Sequence, residues 1–315
     1  MLGYILRRLL ATIPVLFVVS VLIFMLLHLG PSDPAAVIAG DFAQPEDVEK
    51  IRVQLGLDRP LYIQFGDWIL GVLQGDLGSS IYSDMQVSAL MMQRIEPTLS
   101  LTITTISFAI LVGVPAGTFA AWRAGSLFDR GVMMTAVMGF SLPVFVLGYV
   151  LVYLFALKAQ ILPVQGYKPI SGGLWPWLRS LILPTLSLGM IYVALIARMT
   201  RASVIEILGN DYIRTARSKG LSTPPILIFH ALKNAAIPIV TTIGVGIAML
   251  ISGVVVTETV FALPGLGRLT VDAIVRKDYP VIQAMLLVFT VAYVLINLLV
   301  DLSYSLFDPR IKYQK

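Results

Sequence analysis

Covalent chemistry in a protein needs a nucleophile beside a base, a cluster of metal ligands, or a glycine-rich cradle for phosphates. The 315-residue sequence offers little toward any of them. It has no cysteine and only two histidines, His28 and His230. Disulfides, thiolate nucleophiles and cysteine metal sites are thereby removed together. His28 ends a first apolar run and His230 falls in a distant polar loop, so in a membrane they belong to opposite sides and share no zinc. No H-E-x-x-H, G-x-S-x-G or G-x-x-x-x-G-K-[ST] pattern occurs. The run Pro264-Gly265-Leu266-Gly267 lacks the third glycine and the strand of a dinucleotide site, and reads as a turn. The chain is therefore not expected to be an enzyme or to bind a cofactor or metal.

Ion-driven transport would need charged residues deep in a membrane, each costing roughly 2.5–3.5 kcal/mol at the bilayer centre. None falls at mid-span. Glu258 and Asp301 lie near span ends, where water or headgroups are expected to solvate them. A secondary carrier or channel is thus the weaker alternative, and the energy source is expected in another subunit.

What remains distinctive is the polar loop from Arg201 to Ile237. Asn210 can cap a helix whose positive start suits Asp211. Arg217 and Lys219 suit its negative end, and Gly220 can take the left-handed stop. Ser222 or Thr223 can then cap a second helix with Pro224 at its first position, running through His230 and Lys233 toward Pro238.

The elements that would position this loop are set by hydropathy. Of all residues 57% are hydrophobic and 13% charged, and the mean hydropathy is +0.86. Such a chain reads as an all-α polytopic membrane protein rather than as soluble domains. Six runs approach the roughly 20 apolar residues that cross about 30 Å of hydrocarbon. They are Leu9 to Leu29, Thr98 to Trp122, Val132 to Leu157, Leu181 to Met199, Pro238 to Phe261 and Val281 to Val300. Leu9 to Leu27 follows Arg7 and Arg8 like a secretory signal but is too long for one and lacks a cleavage site, so an uncleaved first span is expected. Pro14, Pro115 and Pro143 fall inside runs, which membrane helices tolerate when neighbours satisfy the freed carbonyls.

With residues 1–8 cytoplasmic, 13 of the 23 basic residues and four acids fall inside, against ten bases and thirteen acids outside. That bias places both termini in the cytoplasm, including a tail over 307–315. The net charge of +5 accompanies no basic patch with interleaved aromatics, so nucleic acid is not an expected partner. The outer segment, residues 30–97, carries one apolar helical stripe, Leu61, Phe65, Trp68, Ile69 and Val72, expected to pack on the protein's own surface or in the membrane interface. Gly113 and Gly117, and Gly244 with Ala248 and Ser252, suit close helix packing. Thr241, Thr242 and Ser252 are polar candidates for lining a pathway, with ordinary packing as the alternative.

Asp211 to Leu221 resembles the EAA loop of ATP-binding-cassette importer permeases, most closely the peptide-importer branch. Against the general E-A-A-x-x-x-G pattern the sequence has Arg214, Thr215 and Ala216 before Gly220, keeping the last alanine and the glycine. The Arg-Thr-Ala form is similar to that of dipeptide and oligopeptide permeases. Leu6-Arg7-Arg8-Leu9 through Pro14, Leu55 to Leu61, Gly75 to Gly78, Thr257 to Gly267 and Phe307 to Arg310 resemble other pieces of the same branch, in the same order. The resemblance implies the type I importer permease fold, six spans, and a multi-pass location in a bacterial-type inner membrane. It implies as partners a sister permease, two cytoplasmic ATPase subunits that bind ATP and magnesium, an extracytoplasmic solute-binding protein and membrane lipid. Asp211, Arg214, Thr215, Ala216, Arg217 and Gly220 would form the ATPase-coupling site. The substrate implied is a dipeptide or oligopeptide, with glutathione or a nickel complex as alternatives.

Overall fold

Helix follows helix along the described residues, as alternation of long apolar runs with polar connections dictates. The structure is a computed structural model that describes residues 2–29, 34–39, 43–54 and 56–307. Among the described residues there is no strand, only one isolated bridge between Ser79 and Gln86. The helices are α1 (Leu2–Leu29), α2 (Pro34–Ala39), α3 (Pro45–Gln54), α4 (Leu61–Leu73), α5 (Val87–Trp122), α6 (Leu127–Ser141) and α7 (Val144–Leu151), the last continued by a π-helical segment (Val152–Lys158). After them come α8 (Leu174–Leu208), α9 (Asp211–Ser218), α10 (Thr223–Pro225) with a second π-helical segment (Ile226–Leu232), α11 (Ala236–Val260), α12 (Leu266–Arg276) and α13 (Tyr279–Phe307). Four helices are individually long and apolar enough to cross a membrane, and six spans result if each of two bent pairs is one.

The bends have local causes. The third predicted span, Val132 to Leu157, is divided at Leu142 and Pro143, where the two halves meet at 105°. Proline has no N–H to continue the ladder, so the chain turns there. Pro14, Pro97, Pro115 and Pro184, in contrast, sit inside unbroken helices. The second helix expected in the polar loop is mostly π-helical and meets α11 at 64°. Pro238 does not end it: it is the third residue of α11, in the first turn, where a missing N–H costs nothing.

The chain divides into two compact units. One contains Pro97–Gly267 and α13 from Leu295 onward, and is organised around α8. Leu181, Leu188 and Ile196 of α8 join Leu101 of α5 and Leu250 of α11 in a fully buried apolar core. Small residues bring the helices together. A Cβ on Gly117 would collide with the Ala197 carbonyl oxygen, and one on Gly244 would collide with the Val300 side chain. The paired glycines of α5 therefore serve close packing, the use that lipid, which supplies no hydrophobic drive between helices, favours.

The other unit contains residues 2–96 and 268–294. Its stripe on α4 packs on α1: the rings of Phe65 and Trp68 lie 5.4 and 6.0 Å from that of Phe24. Asp278 closes a turn within the same unit, accepting from Ser80 Oγ at 2.5 Å and from the Ile81 N–H at 3.1 Å.

Candidate functional site

The loop that follows α8 is built on one short helix held by one apolar side chain. In α9, Ile213 is 0% exposed and Ala216 half-buried, while the remaining six residues are exposed. The helix packs on the π-helical segment, whose Ile226 and Leu227 are also buried. Burying an isoleucine removes enough apolar surface to fix so short a helix, which would not persist alone in water. Tyr212, 44% exposed, and Arg214 and Arg217 are open to solvent at separate positions around the helix. Burial of part of the ring pushes the Tyr212 phenol above its ordinary pKa, so the hydroxyl stays protonated and able to donate.

Polar groups on α9 divide between self-satisfaction and availability. Thr215 Oγ1 donates to the Asp211 carbonyl and Ser218 Oγ to the Arg214 carbonyl, both at 3.1 Å. Arg214 and Asp211 approach to 3.5 Å in full solvent, where the pair adds little. Asn210 takes the extended backbone of an N-cap, but its side chain caps nothing and donates instead to the Glu206 carbonyl at 3.4 Å. The far end matches the expected stop. Gly220 has φ +84°, its N–H donates to the Arg217 carbonyl, and the Leu221 N–H reaches the Ala216 carbonyl. Those paired bonds are a Schellman termination, which needs a left-handed residue at the Gly220 position.

The residues of the predicted coupling site thus share one helix and its stop, but unequally. Arg214, Arg217 and Gly220 are exposed, Ala216 turns partly toward the protein, and Thr215 bonds to its own helix. Tyr212 is not among the predicted site residues. Its signal is present, as the one aromatic on a short helix whose other positions are mostly polar. The pathway candidates are elsewhere, on α11. Thr241 Oγ1 donates to the Ile237 carbonyl at 2.7 Å and Thr242 Oγ1 to the Pro238 carbonyl at 2.8 Å. The side chains of Ser252 and His28, and the tail from Asp308, lie outside the described residues.

Residues 113–313 match the family described as binding-protein-dependent transport system inner membrane components, and residues 1–102 match the N-terminal part of such membrane components. The chain belongs to this permease family. It is 52% identical to the "Probable peptide ABC transporter permease protein y4tP" of Sinorhizobium fredii, over 98% of this chain and 99% of that one. It is 45% identical to the glutathione transport system permease protein GsiC of Escherichia coli K12, over the whole of both chains. A solved structure of the MetNI methionine ABC transporter, inward facing, matches its fold at a TM-score of 0.58 and 18% identity, over 70% of this chain and 97% of that chain. The permease is an all-helical inner-membrane component.

A second polar centre in the permease corrects an expectation. Glu258, expected to meet water or headgroups, is 0% exposed. Thr98 Oγ1 donates to its Oε1 at 2.5 Å, and the Leu266 N–H donates to the same Thr98 oxygen at 2.8 Å. The turn after α11 folds back over the carboxylate so closely that a Cβ on Gly265 would collide with Oε1. Linear position placed Glu258 at a span end. Only the return of the turn made that end dry, and a buried carboxylate must be hydrogen-bonded to persist.

Proposed function

We propose that this permease is the membrane-spanning subunit of an ATP-driven importer for peptides, and that α9 is its docking helix for a cytoplasmic ATPase subunit. The observation that carries the docking reading is the division of α9: Ile213 anchors it from beneath while Tyr212, Arg214 and Arg217 stay exposed around it. Arginines donate charge-assisted hydrogen bonds to carboxylates or carbonyls, and an exposed aromatic anchors interfaces. A helix with a fixed underside and a free polar upper face transmits force; a mobile loop does not.

In this reading the ATPase subunits bind ATP and magnesium, a sister permease completes the pathway, and an extracytoplasmic solute-binding protein delivers the substrate. Both termini and α9 lie on the cytoplasmic side, in keeping with the excess of basic residues there. The peptide substrate is supported by the full-length likeness to a peptide permease, and the glutathione permease keeps glutathione, itself a tripeptide-like solute, as the second reading. Thr241, Thr242 and Ser252 are retained as pathway candidates only as polar positions on α11.

Reconstitution of the permease with its sister subunit, ATPases and binding protein in liposomes tests the whole reading. ATP-dependent uptake of labelled dipeptide, competed by unlabelled peptides, is expected. Unaided uptake by the permease alone, or a purified permease that retains no ATPase subunit, defeats it. Preferential uptake of glutathione selects the second substrate.

A further inference from the structure

Next to the loop, α6 and α8 are joined by an ion pair between a buried carboxylate and a partly exposed arginine, which the charge pattern did not reveal. Asp129, in the first turn of α6, is 3% exposed. Arg201, two turns before the end of α8, grips it with both nitrogens, Nε to Oδ1 and Nη2 to Oδ2, the latter at 2.7 Å. The carboxylate also accepts from the Gly125 N–H at 2.8 Å, and Ser126 Oγ accepts from the Asp129 N–H, capping the helix that holds it. A bidentate guanidinium–carboxylate pair fixes direction as well as distance.

Its place in the chain gives it leverage. α8 is one unbroken helix to Leu208, and only Gly209 and Asn210 separate it from α9. Movement of α9 therefore moves the end of α8 at Arg201. The two helices also touch further along, where a Cβ on Gly139 of α6 would stand 3.2 Å from the Met190 carbonyl oxygen of α8. Between that contact and the ion pair lies an open pocket of about 350 Å³ lined by α5, α6 and α8. The ion pair is a polar tie between the two helices at the end nearer α9.

We propose that Asp129 and Arg201 are positioning residues for transport: a latch that makes α6 follow α8 when α9 moves. The proposal rests on the reading of α9 as the ATPase-docking helix. Without the latch, ATP hydrolysis continues while less of the motion reaches the rest of the permease.

The absence of cysteine from the permease lets it be labelled selectively before it is assembled with its partners for a direct test. Spin labels at Leu127→Cys and Glu206→Cys report the distance between the latched ends, and both positions are exposed. Asp129→Asn breaks the pair. Because an unpaired buried charge can unfold a protein, the double variant Asp129→Leu/Arg201→Met, which leaves no charge behind, runs beside it. The label distance is expected to stay constant between nucleotide-free and ATP-bound states in the native permease and to change in both variants. Uptake per ATP hydrolysed is expected to fall about tenfold, within the usual span of coupling between sites. A ratio unchanged in the double variant, or a label distance that already changes in the native permease, overturns the latch. Gly220→Trp serves as control. If it leaves hydrolysis intact, the docking reading fails and takes the latch with it, whereas a defective Gly220→Trp with an unchanged double variant removes the latch alone.

Discussion

Thr98 Oγ1 donates to Glu258 Oε1 at 2.5 Å and, through the same oxygen, accepts the Leu266 N–H, so one hydroxyl joins α5, α11 and the first residue of α12. Thr98→Val removes both bonds at once and leaves the carboxylate buried with one donor fewer. The expected cost is about 2–3 kcal/mol, the range for a hydrogen bond to a buried charged group. Thermal unfolding of the detergent-solubilised importer reads it as a lower Tm, and Thr98→Ser, which keeps the hydroxyl, is expected to restore most of the loss.

Gly265→Ala tests the same centre from the other side. Its Cβ would meet the carboxylate end of the Glu258 side chain, which Thr98 holds in place, so either that hydrogen bond or the turn must give. A loss comparable to that of Thr98→Val is expected, and the double variant should cost less than the two singles added, because they disturb one contact network. Strict additivity in Tm would show that the turn and the threonine act separately.

At Gly220 the cost lies in the backbone and not in crowding. A Cβ added there would meet nothing within 4 Å, yet φ is +84°. Alanine is therefore expected to be nearly as damaging as tryptophan, at about 1–2 kcal/mol for a left-handed residue with a side chain, and asparagine milder. Substrate-stimulated ATP hydrolysis by the assembled importer, measured at equal membrane levels of permease, gives the order. Tryptophan alone being harmful would instead point to a steric contact with the ATPase.

Gly113 and Gly117 of α5 should differ although they share one motif. A Cβ at Gly117 would collide with the Ala197 carbonyl oxygen, whereas one at Gly113 stands 3.1 Å from Ile196 and the Val193 carbonyl. Gly117→Ala is expected to cost about 1–3 kcal/mol by overpacking, with Gly113→Ala at the low end. The two Tm shifts decide the order.

Tyr212 and Ile213 are neighbours with opposite assignments. Tyr212→Ala should leave the permease folded and weaken ATPase retention in pull-downs about tenfold or more, as loss of an interface anchor does. Ile213→Ala should loosen α9 itself, at about 2–4 kcal/mol for a truncated buried isoleucine, and expose the loop to protease before any partner is added. Equal protease sensitivity in the two variants would contradict the division of the helix.

How much was legible beforehand follows from which interactions are local. The termination of α9 at Gly220 could be read from residue types because a left-handed stop depends on a single residue's own dihedrals. The stripe on α4 and the glycines of α5 could be read because helical periodicity puts them on one face. The capping role expected of Asn210 was equally local but wrong in detail, since its side chain found the Glu206 carbonyl first. Tyr212 stands out in sequence as the one aromatic of α9, but spacing alone does not tell an exposed aromatic from a packed one.

By itself, then, the sequence determined a helical membrane chain with about six apolar runs, a short basic helix in the polar loop from Arg201 to Ile237, and that helix's end, since hydropathy, period and glycine geometry act within a few residues of chain. Tertiary structure alone decided that Glu258 is dry, that Val132 to Leu157 bends by 105° at Pro143, and that Asp129 meets Arg201. Each of those depends on which surfaces approach across many residues. Burial and partnership belong to the packed chain and cannot be assigned to a residue from its neighbours in sequence.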